Sequence, residues 1–163
     1  MAAPVPTTAG PVAASAAGLR RLDVRPLIAG GTDPLTVILD AVATLPASGV
    51  LVLDAPFRPA PLLQLLGRRG HRVAAHEVAR GHWQVEIAGS AAPVVDELAD
   101  LEPPEPLERV LAALARLAPG AVYLARLPRF PRMLVPHLER AGARFELVDD
   151  ADGRVLLRLE QRR

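Results

Sequence analysis

Residues 34 to 87 match residues 106 to 159 without a gap, at a constant offset of 72, and sixteen of those 54 pairs are identical. Pro34/Pro106, Leu39/Leu111, Val50/Val122, Pro56/Pro128, Leu66/Leu138, Gly70/Gly142 and Gly81/Gly153 are among them. Most other pairs exchange like for like, as Ile38/Val110 and Val85/Leu157 do. An internal repeat sets the unit of folding, here roughly 65 residues used twice. A lobe of that size buries only about 60% of its unfolded surface and is marginal alone. The expectation is therefore two lobes that pack together as an internal pseudo-dimer.

The pattern within the repeat reads as βαβαββ. Leu22-Asp23-Val24-Arg25 alternates apolar and charged residues, as a half-buried strand does. A loop through Gly30-Gly31 follows, and Asp33 before Pro34 reads as an N-cap with proline at the first helical position. Leu35, Ile38, Leu39, Val42 and Leu45 then form one apolar stripe. Val50 to Leu53 is a short apolar run suited to a buried strand, and Leu62 to Arg69 a second helix closed by Gly70. Two alternating strands finish the unit, with Val73, Ala75, Trp83, Val85 and Ile87 inward and Gly81 at the turn. Right-handed crossover makes the first two strands parallel and sets both helices on one face. The predicted class is an α/β (α+β) two-layer sandwich: a tandem duplication, each unit a four-stranded mixed sheet with two helices on one face. The expected organisation is an Ala/Pro-rich disordered tail over 1–19, a first domain over 20–88, a linker over 89–95 and a second domain over 96–163.

Composition excludes several functions. Net charge is +1, and neither half has the basic excess that phosphate neutralisation demands. Three Phe, one Tyr and one Trp leave no stacking platform for nucleic acid. There is no cysteine, hence no thiol nucleophile and no thiolate metal site. No stretch approaches the ~18 apolar residues of a membrane span, and the amino terminus lacks the basic start and apolar core of a signal peptide. A cytoplasmic protein without nucleic-acid or membrane partners is expected.

Leu22 to Pro34 (LDVRPLIAGGTDP) and Asp100 to Pro106 (DLEPPEP) carry a resemblance to the TusA-like (SirA-like) domain. That is a family of small βαβαββ proteins in bacterial sulfur trafficking. The chain resembles in particular a cysteine-lacking, domain-of-unknown-function branch. Sulfur carriers of the family open their first helix with Cys-Pro-x-Pro after a strand close to Leu-Asp-x-Arg. Here Pro103 stands at the cysteine position of the second lobe, ahead of Pro104-Glu105-Pro106, and the first lobe has Gly31-Thr32-Asp33-Pro34. Without a thiolate at the helix N-terminus there is no persulfide relay through this chain. The resemblance implies a protein partner, of hemerythrin-like or redox kind, in a redox, sulfur or nitrogen-oxide setting.

Three groups of residues are candidates for function. The first is the pair of helix starts with their orienting residues: Asp23, Arg25, Thr32, Asp33 and Pro34, and Pro103, Pro104, Glu105 and Pro106. These would form a partner-binding surface. The second is His71, His76 and His82, which could hold a metal or haem, since parity puts His76 and His82 on one outer face. The third is Arg126, Arg129 and Arg132 before a helix, a basic series suited to an anion. Glu102, Glu105 and Glu108 read as helix-start acids that oppose the macrodipole, and His137 as a surface residue. Leu51, Leu53 and Ala74, with Tyr123, Ala125 and Glu146, are expected on the sheet face away from the helices, where lobe would meet lobe or, as the alternative, an external partner would pack. The leading expectation is a non-enzymatic adaptor without cofactor; a metal- or haem-binding protein and an anion or small-ligand sensor are the alternatives.

Overall fold

The computed structural model describes residues 18–149 and 153–162. The chain divides into two compact units that meet in sequence between Ala92 and Pro93. The first runs β1 (Leu19–Asp23), α1 (Arg25–Ala29), α2 (Leu35–Ala43), β2 (Val50–Ala55), α3 (Ala60–Arg68), β3 (Arg72–Ala79) and β4 (His82–Ala88). The second runs β5 (Asp96–Glu97), α4 (Glu105–Arg116), β6 (Val122–Leu127), α5 (Val135–Arg140), β7 (Arg144–Asp149) and β8 (Val155–Glu160). Most of the predicted tail lies outside the described residues, but Leu19 is described and opens β1.

Both sheets are mixed and four-stranded, with orders β1-β2-β4-β3 and β5-β6-β8-β7. In each, the first two strands are parallel and the closing hairpin is antiparallel. This is the two-layer α/β sandwich the repeat predicts, built twice. Val50–Ala55 is buried along its whole length because it is a central strand, with β1 on one side and β4 on the other. That position explains a continuous apolar run where an exposed-face strand would alternate.

The first core joins Ile38 and Val42 of α2 and Leu62, Leu63 and Leu66 of α3 to Leu51, Leu53, Ala55, Val85 and Ile87 of the sheet. The second joins Val110 and Leu114 of α4 and Leu138 of α5 to Ala125, Leu127, Leu157 and Leu159. Helix and strand spacing thus agree on which face of each sheet the helices cover. Gly70 and Gly142, one repeat apart, follow α3 and α5 with φ of 94° and 72°, where a Cβ would be strained.

Three expectations need correction. Leu51, Leu53, Tyr123 and Ala125 face the helices, not away from them. In a central strand buried on both sides the apolar pattern carries no parity, and only the ladder (Leu51↔Ile87, Leu53↔Val85) fixes it. Ala74 and Glu146 do lie on the other face, opposite Glu86 and Arg158. Second, β1 ends at Asp23, so Arg25 is not a strand residue. It starts the five-residue helix α1, which occupies the expected loop and gives the first unit a third helix. Third, β5 has only two residues, pairing with Ala125 and Arg126. Because Asp23 pairs with Asp54 and Glu97 with Arg126, Glu97 is the counterpart of Asp23.

Candidate functional site

The chemistry-bearing residues of the first unit gather at the carboxyl ends of β1 and β2, on the sheet face opposite the helices. Ladder partners put Asp23, Asp54 and Gln84 side by side across three strands. Alternation then sets Arg21, His76 and His82 on the same face. The register shift between Glu77 and Ala79 brings Ala79, in place of Val78, opposite His82. Bulges of this kind re-aim side chains next to functional sites.

Asp54 is the centre. Its side chain is 0% exposed and accepts four hydrogen bonds. Arg21 gives two, Nε to Oδ2 at 2.8 Å and a guanidinium nitrogen to Oδ1 at 3.2 Å. His82 Nε2 lies 2.7 Å and Gln84 Nε2 3.1 Å from Oδ1. Burial pushes the Asp54 carboxyl upward; the bonds from Arg21, His82 and Gln84, with the Arg21 charge, outweigh it and hold the group below the ordinary aspartate range. The Gln84 carbonyl oxygen is buried and has no hydrogen-bond partner among the described residues.

Beside this cluster Arg25 closes on Asp23 with Nε at 3.0 Å and a second nitrogen at 2.8 Å, while its amide also donates to Asp23 Oδ1. The Arg25 hydrogen bond holds the Asp23 carboxyl low, against partial burial and the Asp54 charge. Arg25 therefore orients Asp23 from the first turn of α1. Thr32 and Asp33 are exposed, and Pro34 is half-buried. Asp33 Oδ1 accepts from the Leu35 amide at 3.0 Å, but the helix begins at Leu35 with Pro34 at its N-cap, so Asp33 stands one residue ahead of the cap position expected for it.

In the second unit the corresponding ladder position is inverted in charge. Arg126 stands where Asp54 does, Leu156 where Gln84 does, and Glu97 where Asp23 does. Arg126 Nε donates to Glu97 at 2.9 Å with its own side chain 10% exposed. It is thus held on the sheet, whereas Arg129 and Arg132 stand exposed in the segment before α5. The predicted arginine series is not one cradle. At the start of α4, Pro103, Pro104 and Glu105 are exposed and Pro106 is buried. Glu102, Glu105, Glu108 and Arg109 border an open depression there. Glu105 pairs with Arg109 at 3.4 Å within the helix.

The histidines are likewise divided. His76 and His82 share the predicted face, but His76 is exposed opposite Gln84 while His82 is turned to Asp54. His71 precedes Arg72, the residue paired with Ala88, and so lies at the other end of the hairpin from His82. Among the described residues no group of three His, Asp or Glu side chains is disposed to hold a metal ion. No helix among them is long and apolar enough to cross a membrane. His137 is exposed, as expected.

Sequence reading missed Arg21, Asp54 and Gln84. The available signal was Asp54 itself, an acid ending the apolar run Val50–Leu53. A carboxylate in a buried strand requires partners.

No curated protein and no solved structure matches the chain. Residues 21–88, which span nearly all the elements of the first unit, match the model of a family described as Uncharacterized conserved protein (DUF2249).

Proposed function

We propose that this protein is a non-enzymatic binding or adaptor module of TusA-like fold that captures a protein partner at its helix starts, in a redox, sulfur or nitrogen-oxide setting. The observation that carries the reading is the apolar surface at the start of α2, where Leu35 is 41% and Val37 38% exposed. Just ahead in the chain lies the Asp23–Arg25 pair, itself a third exposed. Exposed aliphatic side chains at a helix start, and a charged pair held together on the chain before it, suit recognition of a surface. Sulfur carriers of this fold use the same helix start to present a thiolate. Here that position holds no thiol, and the reading keeps the place and discards the relay. The partner that the resemblance implies is a hemerythrin-like or redox protein of the cytoplasm.

The test is crosslinked capture from a lysate of the source cells. Arg25→Ala, Leu35→Asp and Glu105→Ala should each reduce recovery of the same partner, with Trp83 fluorescence confirming an intact first unit. Capture unchanged by all three variants would sink the proposal.

A further inference from the structure

The loop after the central strand reads Pro56-Phe57-Arg58-Pro59 before α3 in the first unit and Pro128-Arg129-Phe130-Pro131 before α5 in the second. Its backbone is the same in both. The amide of Ala60 donates to the Arg58 carbonyl at 2.9 Å, and that of Arg132 to the Phe130 carbonyl at 3.0 Å, one repeat apart. Leu63 to Pro59 at 3.0 Å and Val135 to Pro131 at 3.2 Å repeat likewise. Yet the two side chains between the prolines have exchanged places.

Phe57 is 53% and Phe130 41% exposed, and these are two of only three phenylalanines in the chain. The third, Phe145, packs against the second core. Arg58 and Arg129 are exposed and form no ion pair among the described residues, unlike Arg21, Arg25, Arg126 and Arg158, which are held by carboxylates. The flanking prolines already account for the loop backbone. Nothing in folding then calls for one uncovered ring and one uncommitted guanidinium in each loop, in either order. Recognition does: aromatic residues and arginine are what interface centres concentrate. A proline-braced loop also loses little freedom on binding.

We infer that each unit carries on this loop a docking element for an acidic, apolar segment of a partner protein, an Asp or Glu placed within a residue or two of a large apolar side chain. The guanidinium takes the carboxylate in a two-pronged hydrogen bond, and the ring takes the apolar group. These residues differ from those at the helix starts, and the inference stands apart from the adaptor reading above. The repeat gives two such elements per chain.

The experiment is selection of twelve-residue peptides from a random displayed library on the full chain, followed by calorimetric titration of the synthetic winners. Selected peptides should carry an acid beside an aromatic or Leu, bind two per chain, and weaken as salt rises. Phe57→Ala and Phe130→Ala should each leave one site, the double variant none, and Arg58→Glu should weaken its site at least tenfold. Thermal unfolding of each variant confirms that it is folded. No selected peptides, peptides without acids, or binding that survives both Phe variants overturns the inference. So does binding of phosphatidylglycerol vesicles in place of peptides, or self-association of the chain that the Phe variants abolish.

Discussion

Replacing Asp54 by Ala should destabilise the first unit by about 3 kcal/mol. The Gln84 side chain is fully buried, and its Nε2 has Asp54 as its hydrogen-bond partner; leaving such a donor unmet costs about 1–3 kcal/mol. Arg21 and His82 are 32% and 17% exposed, so each can turn toward water at a loss of about 0.5–1 kcal/mol. The total falls at the low end of the range of about 3–5 kcal/mol for removing one partner of a buried pair. Trp83 is the only tryptophan and lies in β4 of this unit, so urea unfolding followed by its fluorescence reads the unit in question. With a slope near 1 kcal/mol/M, as roughly expected for so small a unit, the midpoint should drop by about 3 M. Asp54→Asn keeps an acceptor but loses the charge facing Arg21, and should show about half the loss. An Asp54→Ala variant within about 0.5 kcal/mol of the parent would behave like a surface substitution and refute the assignment of Asp54 as the hub of the cluster.

Asp54 and Asp23 both lie below the ordinary value of 3.8; the stability they contribute is complete above that value and is lost as pH falls through their lower folded values. The urea midpoint of Trp83 should therefore fall below about pH 4, less steeply in Asp54→Ala, and a parent midpoint that holds steady down to about pH 2 would contradict this. Gly89→Ala would set a Cβ 2.2 Å from the Ala47 carbonyl oxygen, beside a backbone tied by Gly89–Gly49 and Ala91–Ala47 hydrogen bonds at 2.9 Å, and should cost more than about 2 kcal/mol by the same assay. Gly67→Ala, in α3 with nothing within 4 Å of the added Cβ, should instead raise stability by about 0.5–1 kcal/mol. Tyr123→Phe removes the 2.6 Å hydrogen bond to Asp96 that pins the two-residue strand β5; a loss of about 1 kcal/mol should appear as faster hydrogen exchange at the Leu98 amide, which bonds the Arg126 carbonyl.

The repeat, the βαβαββ order, the helix stripes and the glycines after α3 and α5 were legible in the sequence because each is a local or periodic property. Ile38, Val42, Leu62 and Leu66 recur at helical spacing whatever they pack against, and Gly70 answers a backbone angle set within its own turn. The short helix α1 was not legible: Arg25 to Ala29 has no long stripe, and two glycines follow it. Nor was the facing of Leu51 and Leu53, since a strand buried on both sides has no polar alternation to read.

The site divides along the same line. The residue types at the helix starts, the lack of a thiol among them, and the Phe and Arg shared by the proline-bounded loop of each unit can all be read along the chain. Which charges meet depends on how the strands pair. Arg21 and Asp54 are 33 residues apart, and Asp54 and His82 are 28. Strand order and ladder register alone bring them into contact, and one step of register would turn every one of them to the opposite face.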